Sequence, residues 1–360
     1  MSTIINILVT IIMVPWPVII MMSPMMIAST GFRDNRSSLL FATFLMGYPV
    51  IVFTFLKVID YGFWGMSVNW WLILVSGISG GIIFLYGIPR MLLNLRWGIQ
   101  NNSYFKNDSA VFFDGYKISG ADPVSFSILT TGSFYAKDSK HVFYLGKIVK
   151  GADPLTFAPV KWIDADFSDN SIPVYWKDKA NVYFNAKKIE GCDAGTFQNL
   201  RGIYGKDRNY VYYGNNTLPK ANPEKFRFLN DGITTDETYL FIFDKLVNTP
   251  IDLSTFTVVE NGDHVFCKDK NHIYLLLYGQ QDSLVKVDGA DADTFTLLDR
   301  YYAKDKHNVY YYGYNKNNKR TLIFLTDADP DKFSVGYDAS KNSEATDGLN
   351  YYMTGKSVRV

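Results

Sequence analysis

Tyr135-Ala136-Lys137-Asp138, His141-Val142-Phe143-Tyr144, Gly146-Lys147-Ile148 and Gly151-Ala152-Asp153-Pro154-Leu155-Thr156-Phe157 follow one another between residues 135 and 157, and their reading decides the fold. Val-Phe-Tyr is β-branched and aromatic and favours a strand. The Lys-Asp before it is turn chemistry, because an Asp side chain bonds its own downstream amides. Gly or Asn followed by Gly or Lys after the triplet, here Gly146-Lys147, is a tight hairpin signal, and Lys-Ile starts a return strand. Asp-Pro-x-x-Phe reads as one helical turn, with Asp capping, Pro at the first helical position and Phe folding back onto the sheet.

The same unit recurs along the chain. An earlier copy has Lys106, Val111-Phe112-Phe113 and Gly120-Ala121-Asp122-Pro123-Val124-Ser125-Phe126. Later ones include Lys177-Asp178 with Val182-Tyr183-Phe184, and Lys206-Asp207 with Val211-Tyr212-Tyr213. A degenerate copy has Asp236 with Leu240-Phe241, and a last partial copy has Asp347 with Tyr351-Tyr352. The register aspartates 138, 178, 207, 236, 269, 305 and 347 lie between 29 and 42 residues apart, which places insertions in loops. Each unit is expected to hold two or three short strands and a turn, and cannot bury its aromatic face alone. Stacking seven to eight units over residues 104–360 does so. The expected domain is all-β, with short antiparallel strands and turns stacked as an open β-solenoid or a propeller-like array.

Lys-Asp-Lys-Asn-His-Ile-Tyr at 268–274 and Lys-Asp-Lys-His-Asn-Val-Tyr-Tyr at 304–311 are each followed by a Gly-Ala-Asp or Asp-Ala-Asp-Pro turn with Phe. In this the chain resembles the DKNYY repeat family of bacteria, over residues 104–357. The resemblance implies a bacterial repeat protein and carries over no catalytic residue. Asn107 at the aspartate position of the first copy, the degenerate copy at Asp236, and the insertions after Leu275 and Gly313 depart from the pattern.

Outside the repeats the composition changes. The whole chain has net charge +1, with 36 Lys+Arg against 35 Asp+Glu. Its first hundred residues, however, carry only Arg33, Arg36, Lys57, Arg90, Arg96, Asp34 and Asp60. Three apolar runs, 4–30, 37–56 and 68–89, approach the ~20 residues a helix needs to cross a bilayer. Prolines 15, 17 and 24 interrupt the first. The expected anchor is residues 1–96, with 97–103 as linker. Arg33 and Arg36 flank one side of these runs together with Arg90, Arg96 and Lys106, against Lys57 on the other. The positive-inside tendency then puts the repeats in the cytoplasm, below a bacterial inner membrane. The runs contain no ionisable residue in their interiors, which argues for an anchor and against a conduction path.

Several function classes drop out. A charge balance near zero disfavours nucleic acid as partner. Two cysteines, Cys192 and Cys267, cannot make a disulfide scaffold and read as free thiols. There is no phosphate-binding glycine loop, Gly-x-Ser-x-Gly elbow or paired-His helix motif, so no cofactor and no enzymatic activity are expected. His141 and His272 occupy a polar turn slot, and His264 and His307 complete the histidines. Asp327, Asp329 and Asp331 alternate as a hard cation such as calcium prefers, but Lys332 stands where a helix–loop–helix calcium loop has glycine. Asp288, Asp291 and Asp293 are a looser version. Tyr144, Phe184, Tyr213 and Tyr311 share one repeat slot and are the candidate binding stripe, since aromatic side chains suit recognition surfaces. The expected function is non-catalytic binding of a protein or other macromolecule at the membrane, an immunity-type role against a toxin being one version. The alternatives are a cation- or glycan-binding structural module and an enzyme with an unrecognised site.

Overall fold

The computed structural model describes residues 2–29, 31–130, 134–163, 173–259, 266–277, 284–314 and 320–358. Five helices come first: α1 (Ser2–Met13), α2 (Pro15–Ala28), α3 (Arg36–Val58), α4 (Val68–Leu85) and α5 (Ile88–Arg96). The first apolar run is thus two helices. The break is slight, because Val14 keeps its amide bond to the Thr10 carbonyl and Pro15 and Pro17 fall at the start of α2, where no helical amide is needed. Asn35 caps α3 by accepting from the Ser38 amide. The third run, 68–89, breaks at Gly87, whose φ of 66° separates α4 from α5 and lets Pro89 sit in the first turn of α5. Thr3–Ala28, Arg36–Val58 and Val68–Leu85 are long and apolar enough to cross a membrane.

After the helices the described chain forms eight antiparallel sheets, seven of four strands and the first of three. In the second sheet Ser127–Ile128, Tyr135–Lys137, Val142–Tyr144 and Lys147–Ile148 lie side by side in chain order. Lys137 pairs with Val142 and Tyr135 with Tyr144. Leu145 and Gly146 both have positive φ, 49° and 74°, as a type I′ hairpin requires. Each four-stranded sheet gains a strand over the sequence expectation: the residues after the closing Phe, such as Ser127–Ile128 or Gln198–Asn199, form the opening strand. Two residues carry no alternation to read, and strands of two or three residues let four fit in one short repeat.

The chain divides into two compact units. One comprises Met1–Pro159, Trp176–Lys179 and Asn185–Lys187; the other comprises Val160–Tyr175, Ala180–Phe184 and Lys188–Val360. Within the first, α3 packs on α4, and Val9, Trp16, Phe53, Phe63 and Val75 share a core. Ile27, Leu39, Met46, Ile88 and Met91 make a second core that seats α5. A third cluster takes Tyr104, Val111 and Ile118 from one sheet, the closing Phe126, and Ala136 and Phe143 from the next. Within the second unit the same scheme recurs. Tyr302, Val309, the closing Phe333, Ala345 and Tyr352 pack together from two successive sheets. A repeat therefore completes its core with the sheet that follows it, so a lone unit would leave apolar surface in water.

Candidate functional site

The residues that define the repeat hold successive repeats together. Asp138, Asp178, Asp207, Asp236, Asp269, Asp305 and Asp347 are all buried, none more than 4% exposed. In Asp305, Oδ1 accepts the amides of His307 and Asn308, both at 2.7 Å. Oδ2 accepts the amide of Asp291, from the preceding closing turn, at 2.8 Å. Asp207, Asp269 and Asp347 repeat this set with Asp193, Asp252 and Asp329. A tyrosine at the centre of the strand triplet completes it: Tyr212, Tyr274, Tyr310 and Tyr352 each donate to the aspartate five residues back. Burial by itself raises a carboxyl pKa, yet these bonds outweigh it and hold Asp207, Asp269 and Asp305 below the ordinary value, and Asp347 at about 2.

The lysine that precedes five of these aspartates works in the other direction. Lys137, Lys206 and Lys304 donate to the carbonyls of Pro154, Pro223 and Pro330 in the closing turn that follows, at 2.8, 2.9 and 2.8 Å. Lys-Asp thus clamps two turns, one behind and one ahead. The residue after the aspartate adds an ion pair at the surface, as in Lys306–Asp291 and Arg208–Asp193, both 2.7 Å. Asn107 fits this logic. It accepts the Ser109 and Ala110 amides, but it opens the first copy, with no closing turn before it to hold.

Tyr144, Phe184, Tyr213 and Tyr311 do not converge on one pocket; each lies against the second-strand tyrosine of its own sheet. The ring centroids are 4.7 Å apart for Tyr135–Tyr144, 5.2 Å for Tyr175–Phe184, 4.8 Å for Tyr204–Tyr213 and 5.0 Å for Tyr302–Tyr311. Tyr144, Phe184 and Tyr213 are half-buried and Tyr311 is buried. The next hairpin closes over two of them, for a side chain at Gly214 would press on Phe184 and one at Gly355 on Tyr311. The second-strand tyrosines reach across as well. Tyr175 donates to the Ile203 carbonyl at 2.7 Å, Tyr204 to that of Phe243 at 3.1 Å, and Tyr135 accepts from the Ala186 amide at 2.7 Å.

A model of the DKNYY family matches residues 135–277 and 175–356. The chain belongs to the DKNYY family. No curated protein and no solved structure matches it. The DKNYY repeat is therefore, in this chain, a pattern of inter-repeat bonds: its Lys, Asp and Tyr positions join successive sheets.

The remaining sequence candidates sit on the DKNYY framework too. Asp329 caps the Asp331 amide and pairs with Lys332 at 3.1 Å, while the Asp327 carbonyl accepts from Asn350. Asp291 caps Thr294 and pairs with Lys306. Among the described residues no three His, Cys, Asp or Glu side chains gather as a metal site. His141 and His272 place Nδ1 at 3.7 and 3.6 Å from the carboxylates of Asp138 and Asp269; His264 lies outside the described residues. Cys267 is buried and Cys192 partly so, and burial pushes both thiols up to about 12.

Sequence reading missed a polar junction in the first unit. Asp34 accepts from the Asn101 amide and, at 2.6 Å, from the Asn102 side chain. Asn101 is fully buried and donates to the Arg33 and Met91 carbonyls. Asn94 bridges Asn101 and the Gly115 carbonyl, and Arg90 bonds the Asp114 carbonyl while lying 3.5 Å over the Tyr116 ring. Gly115, at φ 72°, has no room for a Cβ beside Asn94. Residues 97–103, expected as a linker, thus pin the helices to the first repeat. Beside this junction a cleft of 610 Å³ is lined by Arg33, Asp34, Asn102 and Asp114, with Phe113 and Phe134. The adjacent Asn101-Asn102 pair was the sequence signal for it.

Proposed function

We propose that this DKNYY protein is a membrane-anchored, non-catalytic repeat protein that presents its array to a protein or other macromolecule at the cytoplasmic face of a bacterial inner membrane. The observation that carries the reading is the outward face of the helices. Ile4, Leu8, Ile11, Val18, Met21, Phe41, Phe44, Phe55, Ile73 and Phe84 are all exposed, on helices of membrane-crossing length. Such a continuous apolar surface is stable in lipid and not in water. The junction supports rigid presentation of the first repeat. The roles of Lys, Asp and Tyr in joining repeats support a scaffold over a catalyst. The aromatics Tyr301, Tyr314 and Tyr337 are exposed and are the favoured contact positions.

Photo-crosslinking residues placed at Tyr314 and Tyr337 of the full chain in cells test the binding role. A discrete crosslinked partner that survives purification is the expected result; no adduct at either position across growth conditions counts against it. Protease treatment of spheroplasts tests orientation. The repeats should resist digestion until the membrane is opened, and digestion beforehand would overturn the cytoplasmic assignment.

A further inference from the structure

We propose that Arg36 and Arg96, with the apolar wall between α3 and α5, form a binding site for the phosphate headgroup of an anionic phospholipid. The site rests on the membrane reading above. The helical segment carries four arginines, and they divide into two kinds. Arg33 pairs with Asp114, and Arg90 bonds the Asp114 carbonyl and covers Tyr116. Arg36 and Arg96 are exposed and, among the described residues, form no ion pair or hydrogen bond. The nearest acid in sequence, Asp34, is already engaged by Asn101 and Asn102. Arg36 and Arg96 line one cavity of 470 Å³, whose other walls include Leu40, Pro89, Leu92 and Leu93.

This pairing of charges and hydrocarbon suits a lipid and not a soluble anion. Arginine forks match phosphate oxygens. Leu40 and Leu93 are about half exposed, at 49% and 56%, and offer acyl chains an apolar contact on either side. Helix α5 has the character of an interfacial helix. Ile88 and Met91 bury one face against the bundle, while Leu93 and Trp97 stand exposed near the arginines. An aromatic and basic residues at the end of an amphipathic helix are how such helices sit at headgroup depth.

The test uses the full-length chain in nanodiscs of mixed phosphatidylcholine and phosphatidylglycerol, with lipids retained on release counted by native mass spectrometry. The wild type should retain phosphatidylglycerol about tenfold over phosphatidylcholine. That preference should fall to near unity in Arg36→Gln/Arg96→Gln, survive in large part in Arg36→Lys/Arg96→Lys, and stay unchanged in Lys57→Gln. Equal preference in the wild type and the glutamine variant, both incorporated into discs, would overturn the site and leave the membrane reading standing. Failure of the wild type to incorporate into discs at all would overturn both. Displacement of the lipid by millimolar inorganic phosphate would overturn the lipid assignment in favour of a soluble anion.

Discussion

The Tyr310 hydroxyl donates to Asp305 Oδ2 at 2.5 Å, inside the repeat and five residues away in the chain. The same oxygen accepts the Asp291 amide from the turn before, so one buried carboxylate ties strand to turn. Removing the hydroxyl in Tyr310→Phe should cost about 2 kcal/mol, within the range for a hydrogen bond to a charged group. Asp305→Asn should cost more, about 3 kcal/mol, because an amide nitrogen would then face the Asp291 amide or the Tyr310 hydroxyl. Conversely, Phe143→Tyr should add about 1 kcal/mol by supplying Asp138 with the bond its neighbours have. Urea unfolding midpoints check all three.

Acid should loosen the repeats in a defined window. Asp207, Asp269, Asp305 and Asp347 have lowered pKa values when folded, so their contribution is fully present above the usual Asp value of 3.8 and is lost as pH falls below it, through about 2 for Asp347. Circular dichroism should stay flat from neutral pH to about 4 and fall off below that. A transition centred between pH 5 and 7 would mean that other groups control stability.

Both thiols should be inert in the folded protein. With pKa values pushed to about 12, roughly one in ten thousand is thiolate at pH 8. A thiol-specific colour reagent should react slowly with the native chain and release two equivalents in denaturant. Rapid native reaction at Cys267 would contradict its burial.

The junction between the helices and the first repeat should depend on Asn101. Asn101→Ala removes bonds to Arg33, Met91 and Asn94 and should cost about 2–3 kcal/mol locally. Limited proteolysis should then cut within residues 97–103 at a rate well above wild type. An unchanged digestion pattern would mean the network adds nothing to rigidity.

Much of this architecture was legible in the residues, and what was not has a physical cause. Val142-Phe143-Tyr144 and the Leu145-Gly146 turn declare a hairpin locally, since strand propensity and positive φ are properties of a few neighbouring residues. Ser127–Ile128 does not, because a two-residue strand exists only through the partner it bonds. Asp138 reads as turn chemistry from its own amides, but its bond to the Asp122 amide joins two repeats and has no local trace. Helix α5 begins at Ile88, within the last residues of the third apolar run, whose continuity masks the break at Gly87. The binding stripe was chosen because its aromatic members share one repeat slot. The slot is less buried than its neighbour, as Tyr213 is beside Tyr212, but the cover that the next hairpin lays over Phe184 and Tyr311 is a tertiary contact.

The anchored scaffold stands or falls on where the full-length chain partitions. Membranes from cells producing it should be washed with alkaline carbonate, which strips peripheral proteins, and the pellet and supernatant compared. The expected result is recovery of the chain in the pellet, released only by detergent. Recovery in the carbonate supernatant would show that α1 to α4 do not hold it in lipid and would contradict the anchored reading.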